Sequence, residues 1–245
     1  MDTDTQSKFA IHAAAREGQT GLVESLLNAD PRLAYRRDDD DRLPLHWAAS
    51  NNRLPIVEIL AEQKGFDVDA QDGAGWTALM MAASLKEADA LVDMLLAKGA
   101  DVDMKTNGGQ TALHFTASKT NLDTARKLIA HKASTRVKDK RGQLPLHRAA
   151  AVGSVPIVKL LLENRSPVNA TDMDGATALH HAIAEGHGDT AVMLLKAGAE
   201  TDKKDASGAL AIDLAPDNKV RMYVLKAAEE EGIEVASEGA RYRSL

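Results

Sequence analysis

Pro44-Leu45-His46-Trp47-Ala48 decides the fold, because the same pattern returns along the chain at a fixed interval. Its copies are Ala112-Leu113-His114-Phe115-Thr116, Pro145-Leu146-His147-Arg148-Ala149 and Ala178-Leu179-His180-His181-Ala182. An earlier version stands at Ala10-Ile11-His12-Ala13-Ala14, a variant at Ala78-Leu79-Met80-Met81-Ala82, and a degenerate last one at Ala211-Ile212-Asp213-Leu214-Ala215. The third residue of each copy falls at 12, 46, 80, 114, 147, 180 and 213, so the spacing is 34 residues three times and then 33 three times. A period of this size means a small unit that cannot bury its own apolar face and must stack on its neighbours.

A second pattern follows each copy by about ten residues, pairing apolar residues at i, i+1, i+4 and i+5. Leu22, Val23, Leu26 and Leu27 form one example, Leu91, Val92, Leu95 and Leu96 another, and Ile157, Val158, Leu161 and Leu162 a third. That is the buried stripe of a helix. Each unit therefore reads as a first helix, a tight turn, a second helix and a long loop with a β-turn at its tip. Small residues on the first helix (Ala14, Ala48, Ala82, Ala149, Ala182) let its partner approach closely. Gly18, Gly153 and Gly186 suit the turn between the helices, and Thr77, Thr111 and Thr177 are placed to cap the first helix. Leu43, Leu144 and Leu210 replace that Thr, which predicts weaker caps. Period and motif together are those of the ankyrin repeat. The expected fold is an all-α ankyrin-repeat solenoid of seven helix-turn-helix repeats with β-turn loops and a concave binding face. Residues 1–6 are expected to be a flexible N-terminus, 7–228 the seven repeats, and 229–245 a polar tail that is either disordered or a frayed helical extension.

Composition agrees. Of 245 residues 44% are apolar but only 3% aromatic, which puts the core in Ala and Leu and favours short, closely packed helices. The formal net charge of −6 speaks against a broad nucleic-acid surface. Without cysteine there are no disulfides, thiolate zinc sites or thiol chemistry. No apolar run reaches the roughly 18 residues that would span a bilayer. The expectation is a soluble protein of the cytoplasm, the nucleus or both, binding neither nucleic acid nor membrane and monomeric when free.

Catalytic and metal chemistry find little footing. His12, His46, His114, His147 and His180 occupy the repeating anchor, where each imidazole is expected to bond neighbouring loop backbone. The pair His180-His181, with His187, invites a metal reading, but no carboxylate or third histidine sits with the pair at helical ligand spacing, and His187 belongs to the ordinary inter-helix turn Gly186-His187-Gly188-Asp189. There is no phosphate loop and no serine in a nucleophile elbow. No cofactor, no metal and no enzyme activity are expected.

What remains is a binding surface. In such a solenoid the loop tips and the exposed face of each first helix point at a partner. Those positions include Asp39, Asp40, Arg42, Trp47 and Asn51, then Trp76 and Met81, then Phe115 and Lys119, then Lys140, Arg141 and Arg148. Both tryptophans fall here, and Trp and Arg are enriched at interface hot spots; the alternative is that the two indoles only pack on each other's repeats. The run Asp38-Asp39-Asp40-Asp41 is either a solvated loop or an acidic rim. Acid at the early tips and base further along would match a partner with a basic patch followed by an acidic one.

Some of these residues carry a narrower resemblance. Asp41-Arg42-Leu43-Pro44-Leu45-His46-Trp47 resembles the second repeat of the gankyrin family, including its fungal counterparts, as Gly75-Trp76-Thr77 resembles the start of the third. Lys138-Asp139-Lys140 followed by Gln143-Leu144-Pro145-Leu146-His147-Arg148-Ala149-Ala150 is similar to the fifth repeat of the fungal members, and Ala184-Glu185-Gly186-His187-Gly188-Asp189 to the sixth. The resemblance implies an assembly chaperone of the proteasome regulatory particle that holds the C-terminal domain of one ATPase subunit of the base and blocks premature docking on the core particle. It implies Arg42 and Lys119 as basic contact positions and Asp40 as an acidic one. Gly73 departs from it, standing where animal members place a contacting Asp; the neighbouring Asp72 is expected to belong to the loop framework. A reading outside this family is an ankyrin adaptor or inhibitor for another protein, such as a kinase or a transcription factor.

Overall fold

The computed structural model describes residues 9–237, as two compact units, one up to Ala112 and one from Leu113 onward. The N-terminal segment 1–6 and the tail beyond 237 lie outside the described residues. The elements alternate as the period requires. In the first unit α1 (Ala10–Glu17) pairs with α2 (Thr20–Ala29), α3 (Pro44–Ser50) with α4 (Leu54–Ala61), and α5 (Ala78–Ala83) with α6 (Asp89–Ala97). In the second, α7 (Ala112–Ser118) precedes α8 (Leu122–Ala130), while α9 (Pro145–Ala151) pairs with α10 (Val155–Glu163) and α11 (Ala178–Ala184) with α12 (Gly188–Lys196). The described residues hold no strand, only isolated bridges at Thr171–Thr177 and Lys204–Leu210. No helix among them is long and apolar enough to cross a membrane.

Each pair stays together because its apolar stripe meets the small face of its neighbours. In the first unit Ile11, Val23, Leu45, Ile56, Leu79, Leu91 and Leu95 are buried beside Ala14, Ala48 and Ala82. In the second Leu113, Leu128, Leu146, Ile157, Leu161 and Leu194 do the same beside Ala149 and Ala182. A six- to ten-residue helix is marginal alone, so this tertiary packing holds the helices in place.

The anchor histidines supply the caps that leucine could not. His46 Nδ1 accepts the backbone N–H of Leu43 at 2.9 Å, and its Nε2–H donates to Ala70 O at 2.9 Å. His147 repeats the arrangement with Leu144 N–H at 3.0 Å and Ala170 O at 3.1 Å. Pro44 and Pro145 stand at the first helical position, where a missing N–H costs nothing. His12 Nε2–H reaches Arg36 O and His114 Nε2–H reaches Gln143 O, so the rings do bond loop backbone 23 to 29 residues away. Thr77 Oγ1 accepts Met80 N–H at 3.3 Å, whereas Thr177 N–H donates to His180 Nδ1 at 3.2 Å, as the leucines do to their histidines.

The turn between the two helices needs a left-handed residue. Gly18, Gly153 and Gly186 supply it at φ 80°, 70° and 79°, but Asn52, Glu87 and Thr120 occupy the same place at φ 53°, 59° and 57°. The β-branched Thr120 is the most strained of these.

Two features depart from the sequence pattern. The first loop contains a 3₁₀ turn, η1 (Pro31–Tyr35), started by Asp30 Oδ1 accepting Arg32 N–H at 3.1 Å. In the seventh copy the first helix shrinks to a 3₁₀ turn, η2 (Ala211–Leu214), ended by Pro216, and α13 (Asn218–Glu230) is longer than its equivalents. Asp217 Oδ1 caps α13 through Val220 N–H at 2.8 Å. The stretch from 229, read from sequence as disordered or a frayed helical extension, begins inside α13 and then bonds to the seventh-repeat loop: Ala236 N–H donates to Thr201 Oγ1 and Thr201 Oγ1–H to Glu234 O, each at 3.2 Å.

Candidate partner-binding tips

A side-chain framework builds every loop tip, and it recurs with the period. Asp38 Oδ1 accepts the backbone N–H groups of Asp40 and Arg42 at 3.0 and 2.8 Å. Asp72 does this for Ala74 and Trp76, Asp139 for Arg141 and Gln143, Asp172 for Asp174 and Ala176, and Asp205 for Ser207 and Ala209. Thr106 Oγ1 replaces the carboxylate for Gly108 and Gln110. Three residues after each acceptor the chain turns left-handed, at Asp41, Gly75, Gly109, Gly142, Gly175 and Gly208. Gly75 is needed on a second count, since a Cβ there would lie 2.7 Å from Asn107 N. Tip also bonds to tip: Gly73 N–H donates to Asp40 O and Asn107 N–H to Ala74 O in the first unit, Met173 N–H to Arg141 O and Ala206 N–H to Asp174 O in the second.

The second carboxylate oxygen fastens the helix that follows. Trp47 Nε1–H donates to Asp38 Oδ2 at 2.7 Å, Arg148 Nη2 to Asp139 Oδ2 at 2.8 Å, and His181 Nε2 lies 2.8 Å from Asp172 Oδ2. Neighbouring repeats use it too, through Arg42 Nε to Asp72 Oδ2 and Gln143 Nε2 to Asp172 Oδ2, both 3.2 Å. Burial works to raise the carboxyls of Asp38, Asp139 and Asp172. The hydrogen bonds from Trp47, Arg148 and His181, with those from backbone N–H groups, outweigh it and hold all three below the usual carboxylate range. Burial pushes His46 and His180 down, and burial with the adjacent His181 drives His147 down to about 4.

The candidate residues divide against this framework. Asp39 and Asp40 are exposed at the first tip, and neither side chain is ion-paired among the described residues. They line a cleft of about 280 Å³ with Phe9, His12, Arg16 and Trp47. Trp47 is half-buried, with the guanidinium carbons of Arg42 and Arg16 at 5.1 and 5.8 Å from its ring centre. Asn51 is exposed, its Nδ2–H on Trp47 O at 2.9 Å, and Trp76 is half-buried. Met81 was expected at the surface but is 5% exposed, one of the buried residues of α5, and is not available to a partner. In the second unit Lys119, Lys140 and Arg141 are exposed without an ion pair among the described residues, and Phe115 is half-buried. Arg42 and Arg148, read from sequence as contact residues, spend their charge on Asp72 and Asp139.

Sequence reasoning placed Asp72 in the loop framework but missed its equivalents Asp38, Thr106, Asp139, Asp172 and Asp205. Their signal was present, as Asp-x-x-Gly at 72–75, 139–142, 172–175 and 205–208 with variants at 38 and 106. Among the described residues no group of three or more His, Cys, Asp or Glu could hold a metal. His181 is taken by Asp172, and His187 Nε2–H donates to Ala151 O at 3.2 Å.

Comparison with known proteins gives the same repeat. A family model described as ankyrin repeats (3 copies) matches residues 1–72, 63–139 and 113–205. The Schizosaccharomyces pombe ankyrin repeat-containing protein C6C3.08 is 41% identical over 75 residues, 30% of this chain and 32% of that protein. The Saccharomyces cerevisiae probable 26S proteasome regulatory subunit p28 is 39% identical over 81 residues, 32% of this chain and 36% of that one. The chain thus spans about a third of the length of these curated relatives. The crystal structure of the ankyrin repeat domain of Bcl-3, of the IkappaB family, matches with TM-score 0.72 and 26% identity over 87% of this chain and 96% of that one. This is a scaffold for protein–protein interaction, and the chain belongs to the ankyrin-repeat family.

Proposed function

We propose that the chain is an assembly chaperone of the proteasome regulatory particle, working in the cytoplasm and nucleus, that holds the C-terminal domain of one base ATPase subunit. The observation that carries this reading is that Asp39 and Asp40 in the first unit, and Lys119, Lys140 and Arg141 in the second, are exposed and not ion-paired among the described residues. Exposed charges of both signs suit an oppositely patterned protein. Likeness to a probable proteasome regulatory subunit supports the choice of partner.

Affinity purification of the full chain with mass spectrometry tests it. A base ATPase and base precursors are expected, with little mature particle. Asp40→Lys with Lys119→Glu reverses two exposed charges that hold nothing within the fold, and should cut that recovery at least about tenfold, the effect of roughly 1.4 kcal/mol. Unchanged recovery rules out these two charges as contacts. The second reading, an adaptor or inhibitor for a different partner, is favoured by the match to the Bcl-3 domain over most of the chain. Recovery of a kinase or transcription factor without any proteasome subunit would establish it instead.

A further inference from the structure

We propose that Met173 is the apolar anchor of the second unit's tips, and that it takes an apolar side chain from a partner segment whose neighbouring residues are carboxylates. The proposal rests on the tips being a partner-binding row, but not on which protein binds.

Met173 is 75% exposed, the most exposed large apolar side chain among the described residues. It follows the framework acid directly, a position filled elsewhere by Asp39, Gly73, Asn107, Lys140 and Ala206. Among the described residues only its backbone is bonded, through N–H to Arg141 O at 2.9 Å.

The turn that displays it is heavily braced. Asp172 accepts Asp174 N–H and Ala176 N–H on one oxygen and lies 2.8 Å from His181 Nε2 and 3.2 Å from Gln143 Nε2 on the other. The base of the turn is closed by the Thr171–Thr177 bridge, and Lys138 Nζ donates to Thr171 O at 2.7 Å. A side chain held out on a fixed backbone loses little freedom on binding, and methionine adapts its shape to what it meets.

Charge selects the occupant. The backbone bond to Arg141 sets Met173 beside Lys140 and Arg141, both exposed and without an ion pair among the described residues. Carboxylates preceding an apolar residue would lie along those cations, while Asp174 on the far side of Met173 disfavours acid there.

The full chain, carrying ¹³C-methyl methionine, is titrated with acetyl-Glu-Glu-Leu-Gly-amide and followed by NMR, the Met173 signal being assigned by its loss in Met173→Gln. Acetyl-Glu-Glu-Ala-Gly-amide and acetyl-Lys-Lys-Leu-Gly-amide are the comparisons. The Met173 methyl should shift saturably, and the Glu-Glu-Leu peptide should bind at least ~fivefold more tightly than either comparison, the scale set by burying a leucine rather than an alanine side chain. Lys140→Glu with Arg141→Glu should weaken it by a similar factor while thermal unfolding stays unchanged. A static Met173 methyl, or equal binding of the alanine or lysine peptide, overturns the proposal. If that happens while ATPase recovery persists, the anchor is removed and the chaperone reading stands.

Discussion

Trp47 and Asp38 are joined by a 2.7 Å bond from the indole N–H to the carboxylate, which ties α3 to the loop tip nine residues upstream. Arg148 with Asp139 and His181 with Asp172 span the same nine residues, so three chemically different side chains do one job.

Removing the acceptor should cost more than removing the donor. Asp38→Ala strips bonds from Asp40 N–H, Arg42 N–H and Trp47, and a loss of about 2–3 kcal/mol is expected, the scale for hydrogen bonds to a charged group. Trp47→Phe leaves the two backbone bonds intact and should cost only about 1 kcal/mol. Urea unfolding of both variants and of the double variant measures the coupling.

Stability should fall as pH drops from about 6.5 to about 4. His147 titrates at about 4 in the folded chain against an ordinary value of 6.5, so through this window the unfolded chain binds a proton that the folded chain refuses. Stability is full above the upper value and lost on the way to the lower one, by up to about 3 kcal/mol. His46 and His180, lowered by burial, act in the same direction. Urea midpoints at stepped pH should show a shallower slope in His147→Gln than in the parent.

Met81→Ala should behave as a core truncation, costing about 2–5 kcal/mol in thermal or urea unfolding. A variant that keeps its stability and loses a partner instead would return Met81 to the surface.

The strained turns should respond to glycine. Thr120→Gly relieves a β-branched residue at φ 57° and should stabilise by up to about 1 kcal/mol. Gly153→Ala works against both backbone and space, because its Cβ would come within 2.5 Å of His187 Nδ1, and a loss of more than about 1 kcal/mol is expected. Calorimetry on the two variants compares them.

The repeat was legible because His46, His147 and His180 recur at a spacing of 33 or 34 residues or at a sum of such spacings, each with Leu before it and Ala two places after. The bonds of His46 and His147 to Ala70 and Ala170 follow from that placement. Met81 misled because the place after the anchor is half-exposed when filled by Trp47, Phe115, Arg148 or His181; an unbranched apolar chain turns inward, where the others carry a polar group or too large a ring. Arg42 and Arg148 read as free because Asp72, 30 residues on, and Asp139, nine back, look like ordinary loop acids until the fold brings them near. Leu43 and Leu144 predicted weak caps, because a ring three residues later can accept the orphan N–H only once its far side is fixed.

In the fingers built on Asp38, Asp139 and Asp172 the holding oxygen seizes amides two and four places downstream, and the next two side chains form no ion pair among the described residues. Mutation can therefore rewrite Asp39-Asp40, Lys140-Arg141 or Met173-Asp174 almost without penalty to folding. Partner preference can drift while the architecture stands still, much as type can be reset in an unchanged frame.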